Sequence, residues 1–565
     1  MVKKILITNP KDILLKKDAY FYDEYLYNLI GEKKTKQEKF FFSFEYLKKI
    51  NNNNKLIFKK LNRYRKELSK ALNKIHKKDL NESSWGIVLD KYLFLLVSPI
   101  VTETKNFKKI KKKEKNFLIF DERFDGQYSN TKEFISEYYY DNRFAYIRYL
   151  IAKNLGFKII KRKKYKKKFR KKNYHSESFL LIFFRNIINL YVRIFKPSLI
   201  VNSYLGVSNA IKVFSQSFGK ILILPSKYFF NYSLSTPKKN FKVRQSFKVI
   251  EKDFVDKIFN LVLNDLTPIS YLENFKNYDE IINKMPMPQL LGSGISLIDD
   301  DFFKFLSVRV LKEKKKVITF QHGFNGKERN KNKIFDYVFQ KKYSSEYLSW
   351  YDKKVIKENF FKKYKKFKTN HKKQKNILIY PTANLDRTNY SKNLTKKYHP
   401  FLNNNFKFYD NLNDEIKLNV KIKLFPFKEK LITNIWLKKY GNKNLFVQNH
   451  KNIFNKYKIV VIDDVSTPLC ELLYTGTPFI LIDDELEFLN LSVKNKIKDL
   501  KKINIFFNSP KKASDFLNRN FNDLSYWWNN VKKSKIYFSL KKELLPSTSN
   551  VVSLHKKIQQ INLNE

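Results

Sequence analysis

The chain has 565 residues, of which 43% are hydrophobic and 16% aromatic, and 114 Lys and Arg residues stand against 53 Asp and Glu residues. This hydrophobic content excludes a disordered chain, and the length suffices for about two to four domains, each with its own core. Cys470 is the single cysteine, which excludes a disulfide framework and any cysteine-cluster metal centre. A reducing cytoplasm is the compartment that fits this cysteine content.

The net charge of +61 suggests a nucleic-acid partner, but the kind of cation argues against one. Lys supplies 100 of the 114 basic residues, whereas Arg, whose planar group binds phosphates and bases bidentately, occurs fourteen times. Lys, Asn, Ile, Phe and Tyr, which have AT-rich codons, are abundant, while Gly and Pro are scarce. We therefore attribute the charge to genome composition and expect no nucleic-acid partner. A basic nucleic-acid-binding protein is the minor alternative.

The sequence predicts neither a targeting segment nor a membrane span. The N-terminal Met1–Ile5 has no apolar run of signal-peptide length, and no uncharged apolar stretch reaches about 18 residues. The nearest are Tyr92–Val101, which is too short, and Phe179–Val201, which Arg185 and Arg193 interrupt. We expect a protein that is soluble or peripheral to a membrane.

Short apolar runs alternate with amphipathic segments in the first half of the chain, the pattern of βαβ units and a parallel sheet. The long aromatic and Lys-rich region after the first strand predicts helices, and a buried helix is expected at Tyr92–Leu96. Later helices are expected at Val207–Phe218 and Asp299–Lys312. The predicted strands are Lys4–Thr8, Asn116–Asp121, Ser198–Ser203, Ile221–Leu224, Pro288–Ser293 and Val317–Phe320.

The same alternation restarts after Lys353–Lys375, a basic stretch without a long apolar run. The strands predicted there are Ile377–Tyr380, Val420–Phe425, Leu445–Gln448, Ile459–Ile462, Phe479–Ile482 and Ile503–Phe507. We therefore predict an α/β fold with two doubly wound, Rossmann-like domains facing a cleft and C-terminal helices packing back. The predicted domains are residues 1–345, with helical insertions, and 376–515, joined by a basic linker at 346–375 and followed by a helical segment at 516–565.

Ligands of open parallel sheets bind beyond the carboxyl ends of the strands. One candidate site there is Gln321-His322-Gly323, directly after the strand Val317–Phe320. An imidazole in this position suits a general base or a phosphate partner. Gly323 and Gly326 allow a close backbone approach in a chain with few glycines. The alternative is an ordinary strand and turn with a surface histidine.

A second candidate site follows the buried strand that ends in Asp463-Asp464. Ser466 or Thr467 is expected to cap the next helix, whose backbone N–H groups and two hydroxyls suit a phosphate. Glu471 lies one turn into this helix, where a carboxylate suits a ribose diol, and its local sequence gives it no structural role. The alternative is a well-capped βαβ unit without a ligand.

Other strand-end residues are weaker candidates. Lys423 and Lys428 suit a phosphate, Asp386-Arg387 suits a ligand contact, and Asp121 is a candidate acidic group in the first half. For each of them the alternative is an ordinary surface turn. The sequence contains no Walker A, G-x-G-x-x-G, H-E-x-x-H or G-x-S-x-G motif.

The sequences of the two main candidate sites resemble motifs of bacterial surface-polysaccharide transferases. The likeness begins with Gln321-His322-Gly323, followed about 140 residues later by the run from Asp463 to Pro478. It is closest to the transferase family of lipopolysaccharide and O-antigen gene clusters, on the residues Ser83–Leu89 and Pro197–Leu205. The similar segments are short islands spread over residues 1–500.

The resemblance implies a GT-B-like fold whose first half handles the acceptor and whose second half binds a nucleotide-activated donor. Together with the absence of metal-binding motifs, it predicts a metal-independent, glycosyltransferase-like enzyme that extends a surface polysaccharide or lipopolysaccharide at the cytoplasmic membrane face. The donor is a sugar or sugar acid, the acceptor is lipid-linked or a polysaccharide, and no further cofactor is expected. His322 is the expected catalytic base, with Asp121 as the alternative base. The expected donor-binding residues are Gln321, Gly323, Lys423, Asp464, Ser466, Thr467 and Glu471.

The chain departs from these relatives at two positions. Phe324 stands where the family tends to have a second glycine, and Phe425-Pro426 stands where related capsule transferases have His-Pro. The second departure argues against a CMP-linked keto-sugar acid and leaves open a CDP-linked polyol phosphate or another nucleotide sugar. The alternative function is a non-catalytic member of the same fold that binds polysaccharide precursors.

The stretch from Lys161 to Lys172 carries ten basic side chains in twelve positions. Such a run suits an anionic membrane surface, to which each Lys or Arg contributes about 1 kcal/mol. Tyr165 and Phe169, four residues apart, would add interfacial anchoring in a helix. We expect this run to hold the enzyme peripherally at the inner membrane. The alternative is a solvated surface loop.

Overall fold

The structure, a computed structural model, contains three five-stranded sheets in the part of the chain that it describes. The described residues are 4–8, 20–23, 40–42, 54–114, 116–122, 124, 126–137, 143–161, 177–203, 205–234, 236–321, 323, 335–349, 376–381, 404–423, 437, 440, 453–482, 486, 489–545 and 554–563.

The first sheet is formed by residues 4–160. Its strands are β1 (Lys4–Ile7), β2 (Tyr20–Asp23), β3 (Phe40–Phe42), β4 (Phe117–Phe120) and β5 (Lys158–Ile160). Their order is β3-β2-β1-β4-β5, and all neighbouring strands are parallel. The accompanying helices are α1 (Asn54–His76), α2 (Glu82–Lys113), α3 (Thr131–Glu137) and α4 (Arg143–Asn154).

The prediction that the region after the first strand is helical was wrong for β2 and β3, which are strands. Both strands are short and aromatic, and rings on β2 and β3 pack against each other. The rings of Tyr22 and Phe42, for example, have their centroids 5.2 Å apart. Aromatic side chains favour strands through such cross-strand pairs, and three or four residues are too few to show a strand period in the sequence.

The second sheet is formed by residues 198–348. Its strands are β6 (Ser198–Val201), β7 (Ile221–Leu224), β8 (Leu290–Ser293), β9 (Lys316–Phe320) and β10 (Glu346–Leu348). Their order is β10-β9-β8-β6-β7, with β6 parallel to β8 and β9 parallel to β10. The helices before and between these strands are α5 (Phe179–Phe195), α6 (Val207–Gln216), α7 (Phe241–Ser246), α8 (Phe254–Leu266), α9 (Phe275–Lys284), α10 (Ser296–Asp299), α11 (Asp301–Lys312) and α12 (Phe335–Tyr343).

The third sheet is formed by residues 377–507. Its strands are β11 (Ile377–Tyr380), β12 (Val420–Ile422), β13 (Ile459–Ile462), β14 (Phe479–Ile482) and β15 (Phe506–Phe507). Their order is β12-β11-β13-β14-β15, parallel throughout. The helices are α13 (Asp414–Lys417), α14 (Thr467–Thr475), α15 (Leu491–Asp499), α16 (Pro510–Asn520), α17 (Leu524–Lys533), α18 (Lys535–Leu544) and α19 (Leu554–Leu563).

Three predicted strands of the third sheet, Ile377–Tyr380, Ile459–Ile462 and Phe479–Ile482, are confirmed residue for residue, and the predicted strand Val420–Phe425 is confirmed for Val420–Ile422. The predicted strand Ile503–Phe507 is shorter, because Leu500–Ile503 forms a 3-10 turn and only Phe506–Phe507 pairs with β14. The predicted strand Leu445–Gln448 lies outside the described residues.

All three strand orders are those of doubly wound α/β folds, so the predicted fold class is confirmed. Counted within each sheet, the first has the order 3-2-1-4-5, and the other two have the order 2-1-3-4-5. Such an order reverses direction at one point, next to the first strand, and leaves a crevice at the carboxyl ends of the strands there. These points lie between β1 and β4, between β6 and β8, and between β11 and β13.

The C-terminal helices pack back on the third sheet. Trp528 on α17 is fully buried, and its indole Nε1 donates a hydrogen bond to the carbonyl of Gly476 at 2.9 Å. Tyr537 and Leu540 on α18 belong to the same hydrophobic core as β13 and β14. Burial of large apolar side chains, about 1.5–3 kcal/mol for each, fixes these helices to the sheet.

Helix α2 is long and apolar enough to span a membrane by length and composition. Its 18-residue apolar window is, however, entirely buried inside the protein, and every residue from Trp85 to Thr104 is buried. Core helices pass the same test of length and composition, so this feature is weak evidence for a membrane span.

Contacts divide the chain into two compact units. One comprises Met1–Val201, Pro225–Val317 and Arg387–Lys396, and the other comprises Asn202–Leu224, Ile318–Asp386 and Lys397–Glu565. The predicted domain boundaries remain predictions. The first three residues of the predicted linker nevertheless form β10, because Glu346–Leu348 continues the parallel pairing with β9.

Candidate functional site

A buried lysine marks the carboxyl edge of the third sheet. Lys423 follows β12, while Tyr380 ends β11 and Asp463 follows β13. The parallel register pairs Ile379 with Ile422, and Tyr380 with Ile462, so the three chain segments end at the same level. Only 6% of Lys423 is exposed, so its side chain lies within the protein, beside the end of β11, which is one of the two strands at the reversal point of the sheet.

The lysine is held against an aromatic ring. Nζ of Lys423 donates a hydrogen bond to the hydroxyl of Tyr380 at 3.2 Å and lies 4.3 Å from the centre of the ring. A cation over the face of an aromatic ring is attracted by the ring quadrupole. Tyr380 therefore positions the ammonium group at the strand ends. Tyr380 was not among the predicted site residues, although its place as the last residue of a predicted strand was a usable signal.

Burial and nearby carboxylates set the electrostatics of this edge. Burial lowers the pKa of Lys423 to about 8, and the negative charge of Glu471 partly opposes that shift. Burial raises the pKa of Tyr380 well above its usual value, with further contributions from Glu471 and Asp463. Glu471 thus acts on both buried groups. Lys423 lies 48 positions earlier in the sequence, so the local sequence around Glu471 gave no sign of this interaction.

The helix α14 begins beside these residues. Ser466 occupies the N-cap position, as predicted, but its side chain makes no capping hydrogen bond; its hydroxyl lies 3.5 Å from the carbonyl of Asp464. Thr467 is the first residue of the helix, and no acidic residue lies in the first turn. Ser466, Thr467 and Asp464 are all half-buried. The hydroxyl of Ser466 is thus not consumed by the cap, which suits a polar ligand at this helix start.

Asp463 fixes the end of β13. It is buried, and its Oδ2 accepts a hydrogen bond of 2.9 Å from the side-chain amide of Asn405, in the helical residues 404–410. Sequence reasoning missed Asn405, which lies 58 residues away with no motif around it. Asp463 therefore has a structural partner in Asn405. Of the two neighbouring aspartates, Asp463 is buried and Asp464 is half-buried.

Gln321 and Gly323 lie at the edge of the second sheet. The side chain of Gln321 accepts a hydrogen bond from Ser349 Oγ at 2.8 Å and donates one to the carbonyl of Gly323 at 3.1 Å. The Gln321 side chain therefore connects the residues that follow β9 and β10. Its bond to Gly323 also shapes the turn that directly follows β9. Gly323 has a φ of +68°, which only glycine adopts without strain, as expected for this turn. His322 itself lies outside the described residues.

Asp121 lies at the edge of the first sheet. It follows β4 and is half-buried, and its backbone N–H donates to the carbonyl of Ile160 at 2.9 Å. This places it next to the reversal point between β1 and β4. The weaker candidates Asp386, Arg387 and Lys428 lie outside the described residues. The predicted site residues therefore occupy three different sheet edges, with Lys423, Asp464, Ser466, Thr467 and Glu471 sharing one.

A buried acidic cluster follows β8, where only a helix was predicted. Asp301 Oδ2 accepts hydrogen bonds from the backbone of Thr131 at 2.9 Å and from Ser270 Oγ at 2.6 Å, and its Oδ1 lies 3.6 Å from Nζ of Lys304. Asp300 caps α11 and accepts a hydrogen bond from Tyr232. These contacts join distant segments, so we interpret the cluster as structural. Three successive aspartates at a predicted helix start were the signal for it.

Asp300 is expected to make stability depend on pH. Burial raises the pKa of its carboxyl group to about 7, so the folded protein holds a proton there that the unfolded chain releases at about pH 4. Stability from this group is therefore lost as the pH rises from about 4 to about 7. Asp300→Asn keeps an oxygen for the helix cap and removes the titration. In denaturant unfolding across this range, the variant should gain stability relative to wild type as the pH rises; parallel pH profiles would contradict this assignment.

In the part of the chain that the structure describes, no group of three or more His, Cys, Asp or Glu side chains is arranged to hold a metal ion. The carboxyl edge of the third sheet offers the ammonium group of Lys423, the hydroxyls of Ser466 and Thr467, and the N-terminal end of α14. These are groups that bind a phosphate.

The doubly wound sheets define an α/β protein with polar side chains at the carboxyl ends of its strands. The pattern of the LIC12162 family transferases matches residues 4–556, nearly the whole chain. The chain therefore belongs to the LIC12162 family of transferases, which confirms the predicted resemblance to a transferase family.

Two further comparisons add little to this assignment. No curated protein matches the chain. A solved structure of a provisionally assigned UDP-N-acetylglucosamine 2-epimerase from Listeria monocytogenes is similar at 10% identity, with a TM-score of 0.34, over 63% of this chain and 92% of that one. A likeness of this strength carries no inference about substrate.

Proposed function

We propose that this transferase uses a nucleotide-activated sugar or sugar acid as donor and extends a bacterial surface polysaccharide or lipopolysaccharide. The observation that supports this proposal most is the buried Lys423, which lies against Tyr380 at the same edge of the third sheet as the start of α14. A buried cation next to a helix start favours a phosphate over a neutral ligand. The diphosphate of a nucleotide-activated donor supplies such a group.

The donor nucleotide would lie with its phosphates at Ser466 and Thr467 and its ribose toward Glu471. Lys423 would face the phosphate charge, and Gln321 and Gly323 would shape the turn that carries His322. Asp464, half-buried beside Ser466, would contact the donor from the strand end. In this arrangement no metal ion is required to balance the leaving diphosphate.

The proposed reaction is a displacement at the anomeric carbon of the donor, or at phosphorus for a polyol phosphate. An acceptor hydroxyl forms the new bond while the bond to the nucleotide phosphate breaks, and the phosphate leaves with the electron pair. His322 takes the proton of the hydroxyl as general base, with Asp121 as the alternative base. The ammonium group and the helix start stabilise the negative charge that develops on the leaving group.

The hydroxyls of Ser466 and Thr467 and the carboxylate of Glu471 should have separable effects on nucleotide binding. Ser466→Ala with Thr467→Ala should weaken binding of every nucleotide diphosphate by about tenfold or more, because a hydrogen bond to a charged group contributes roughly 1.5–3 kcal/mol. Glu471→Gln should mainly reduce the preference for ribonucleotides over 2′-deoxyribonucleotides. Calorimetric titration with CMP, CDP, UDP and GDP, each also in its 2′-deoxy form, measures both effects.

Ser525→Ala, on α17, removes a hydroxyl away from the helix start and serves as the control for this titration. It should bind nucleotides like wild type. If the double variant also binds like wild type, then the start of α14 is only a βαβ turn, and the proposed phosphate position is wrong.

A further inference from the structure

Helix α5 (Phe179–Phe195) exposes most of its apolar side chains to solvent and buries a charged one, the reverse of the usual arrangement in a helix packed on a core. It buries Arg185 and Val192, while nine of its large apolar side chains are 42% to 80% exposed. Phe179, Leu190 and Phe195 are among the most exposed, at 80%, 57% and 65%. A soluble protein rarely leaves so many neighbouring apolar side chains in water unless they bind something.

The buried stripe of α5 shows how the helix is attached. Nη2 of Arg185 pairs with Glu177 Oε1 at 2.7 Å, and Nε of Arg185 donates to the carbonyl of Lys227 at 3.4 Å. The charged side chain thus faces the protein, where it has a carboxylate partner, and the apolar side chains face outward. Ser178 caps the helix by accepting a hydrogen bond from the backbone of Leu181. The outward face therefore belongs to a well-formed helix.

We infer that the outward face of α5 inserts into the surface of an anionic lipid bilayer. The evidence for a lipid partner is charge complementarity, since the sequence from Lys161 to Lys172 carries ten basic residues and six residues separate it from the start of the helix. An apolar helix face next to a polybasic segment is the arrangement of interfacial helices, which lie about 5–10 Å deep in the headgroup region. Arg193, the exposed cation of α5, reaches the headgroups by extending its side chain.

A second copy of the chain fits this face less well. Pairing two copies through α5 would bring together chains that each carry a net charge of +61. Like charges at a contact oppose association, whereas anionic headgroups neutralise them. The inference does not depend on the proposed donor or acceptor, because it uses only α5 and the sequence before it.

Vesicle flotation of the full chain tests the inference. The vesicles contain phosphatidylcholine alone or phosphatidylcholine with phosphatidylglycerol. The test variant replaces Phe183, Leu190 and Ile194 with serine, and the matched control replaces Val207, Ile211 and Phe218, which are 63% to 92% exposed on or just after α6. Wild type and control should float with the anionic vesicles, and the α5 variant should bind them at least about tenfold more weakly, since insertion scales with buried apolar area.

A fluorescent label on α5 distinguishes insertion of the helix into the bilayer from adsorption of the protein to the bilayer surface. Cys470, the single native cysteine, is buried, so Phe184→Cys supplies one accessible thiol for an environment-sensitive dye. The dye emission should shift to the blue when anionic vesicles are added, at low and at high salt. An unshifted emission, or equal flotation of the α5 variant and wild type, would overturn the inference. So would a dimer in light scattering that only the α5 substitutions dissociate.

Discussion

Lys423→Met should weaken nucleotide binding by about 10- to 100-fold, the largest effect expected of a single substitution at the third sheet. The reason is that Lys423 is buried and lies against Tyr380, at the end of the strand β11 that borders the reversal point. A hydrogen bond from a charged donor contributes roughly 1.5–3 kcal/mol, which corresponds to this range of affinity. Methionine keeps most of the side-chain volume, so the core around Tyr380 should remain packed.

The pH dependence of binding should identify the ammonium group itself. Burial lowers the pKa of Lys423 to about 8, so the group is charged in the free protein below pH 8 and increasingly neutral above it. An anionic ligand favours the charged form, so binding above pH 8 must take up a proton and affinity should fall as the pH rises. The Met variant should lack this decrease. Calorimetric titration from pH 7 to pH 9.5 measures it.

Lys511→Met is the matched control, because it removes the same charge from an exposed position on α16. It should retain both the affinity and the pH dependence of wild type. Equal losses in the two variants would mean that nucleotide binding responds only to overall charge, and the buried lysine would lose its assigned role.

His322→Ala should reduce the rate of transfer by about 10²- to 10⁴-fold, the usual effect of removing a general base. The prediction comes from the sequence, where His322 follows β9 between Gln321 and Gly323. The structure adds that Gln321 is held by Ser349 and in turn holds the carbonyl of Gly323, so both neighbours of His322 are fixed. Release of nucleotide from a labelled donor, in the presence of acceptor, measures the rate.

The pH profile distinguishes the roles open to His322. As the base, its loss should lower kcat and remove the acid limb of the profile; as a phosphate partner, its loss should mainly raise KM for the donor. Asp121→Asn tests the alternative base in the same assay. Turnover by His322→Ala within a few-fold of wild type would remove this residue from the catalytic assignment.

The sequence predicted those parts of the fold that have a strong local pattern. The strands of the third sheet are continuous apolar runs, such as Ile459–Ile462, because both faces of a doubly wound sheet are covered by helices. The aromatic strands β2 and β3 were missed, because short segments show no period and lie within Lys-rich surroundings. As a result, a separate first sheet was not expected.

The candidate site was predictable where its residues directly follow strands, and not where they meet only in three dimensions. Lys423, Ser466 and Thr467 were found from their position after strands or at a helix start. The contact of Lys423 with Tyr380, and of Asn405 with Asp463, depends on the order of β12, β11 and β13 in the sheet. That order cannot be read from local patterns, so the electrostatic role of Glu471 was also missed.

Hydrogen–deuterium exchange of the full chain, with and without the tightest-binding nucleotide, tests most directly whether the third sheet carries the donor site. Bound nucleotide should slow exchange in peptides that cover residues 420–423 and 459–476, since the ligand protects the backbone groups at the strand ends and at the start of α14. Exchange in the first sheet, residues 4–160, should be unchanged. Protection confined to the first or second sheet, with 459–476 unaffected, would contradict the placement of the donor beside Lys423.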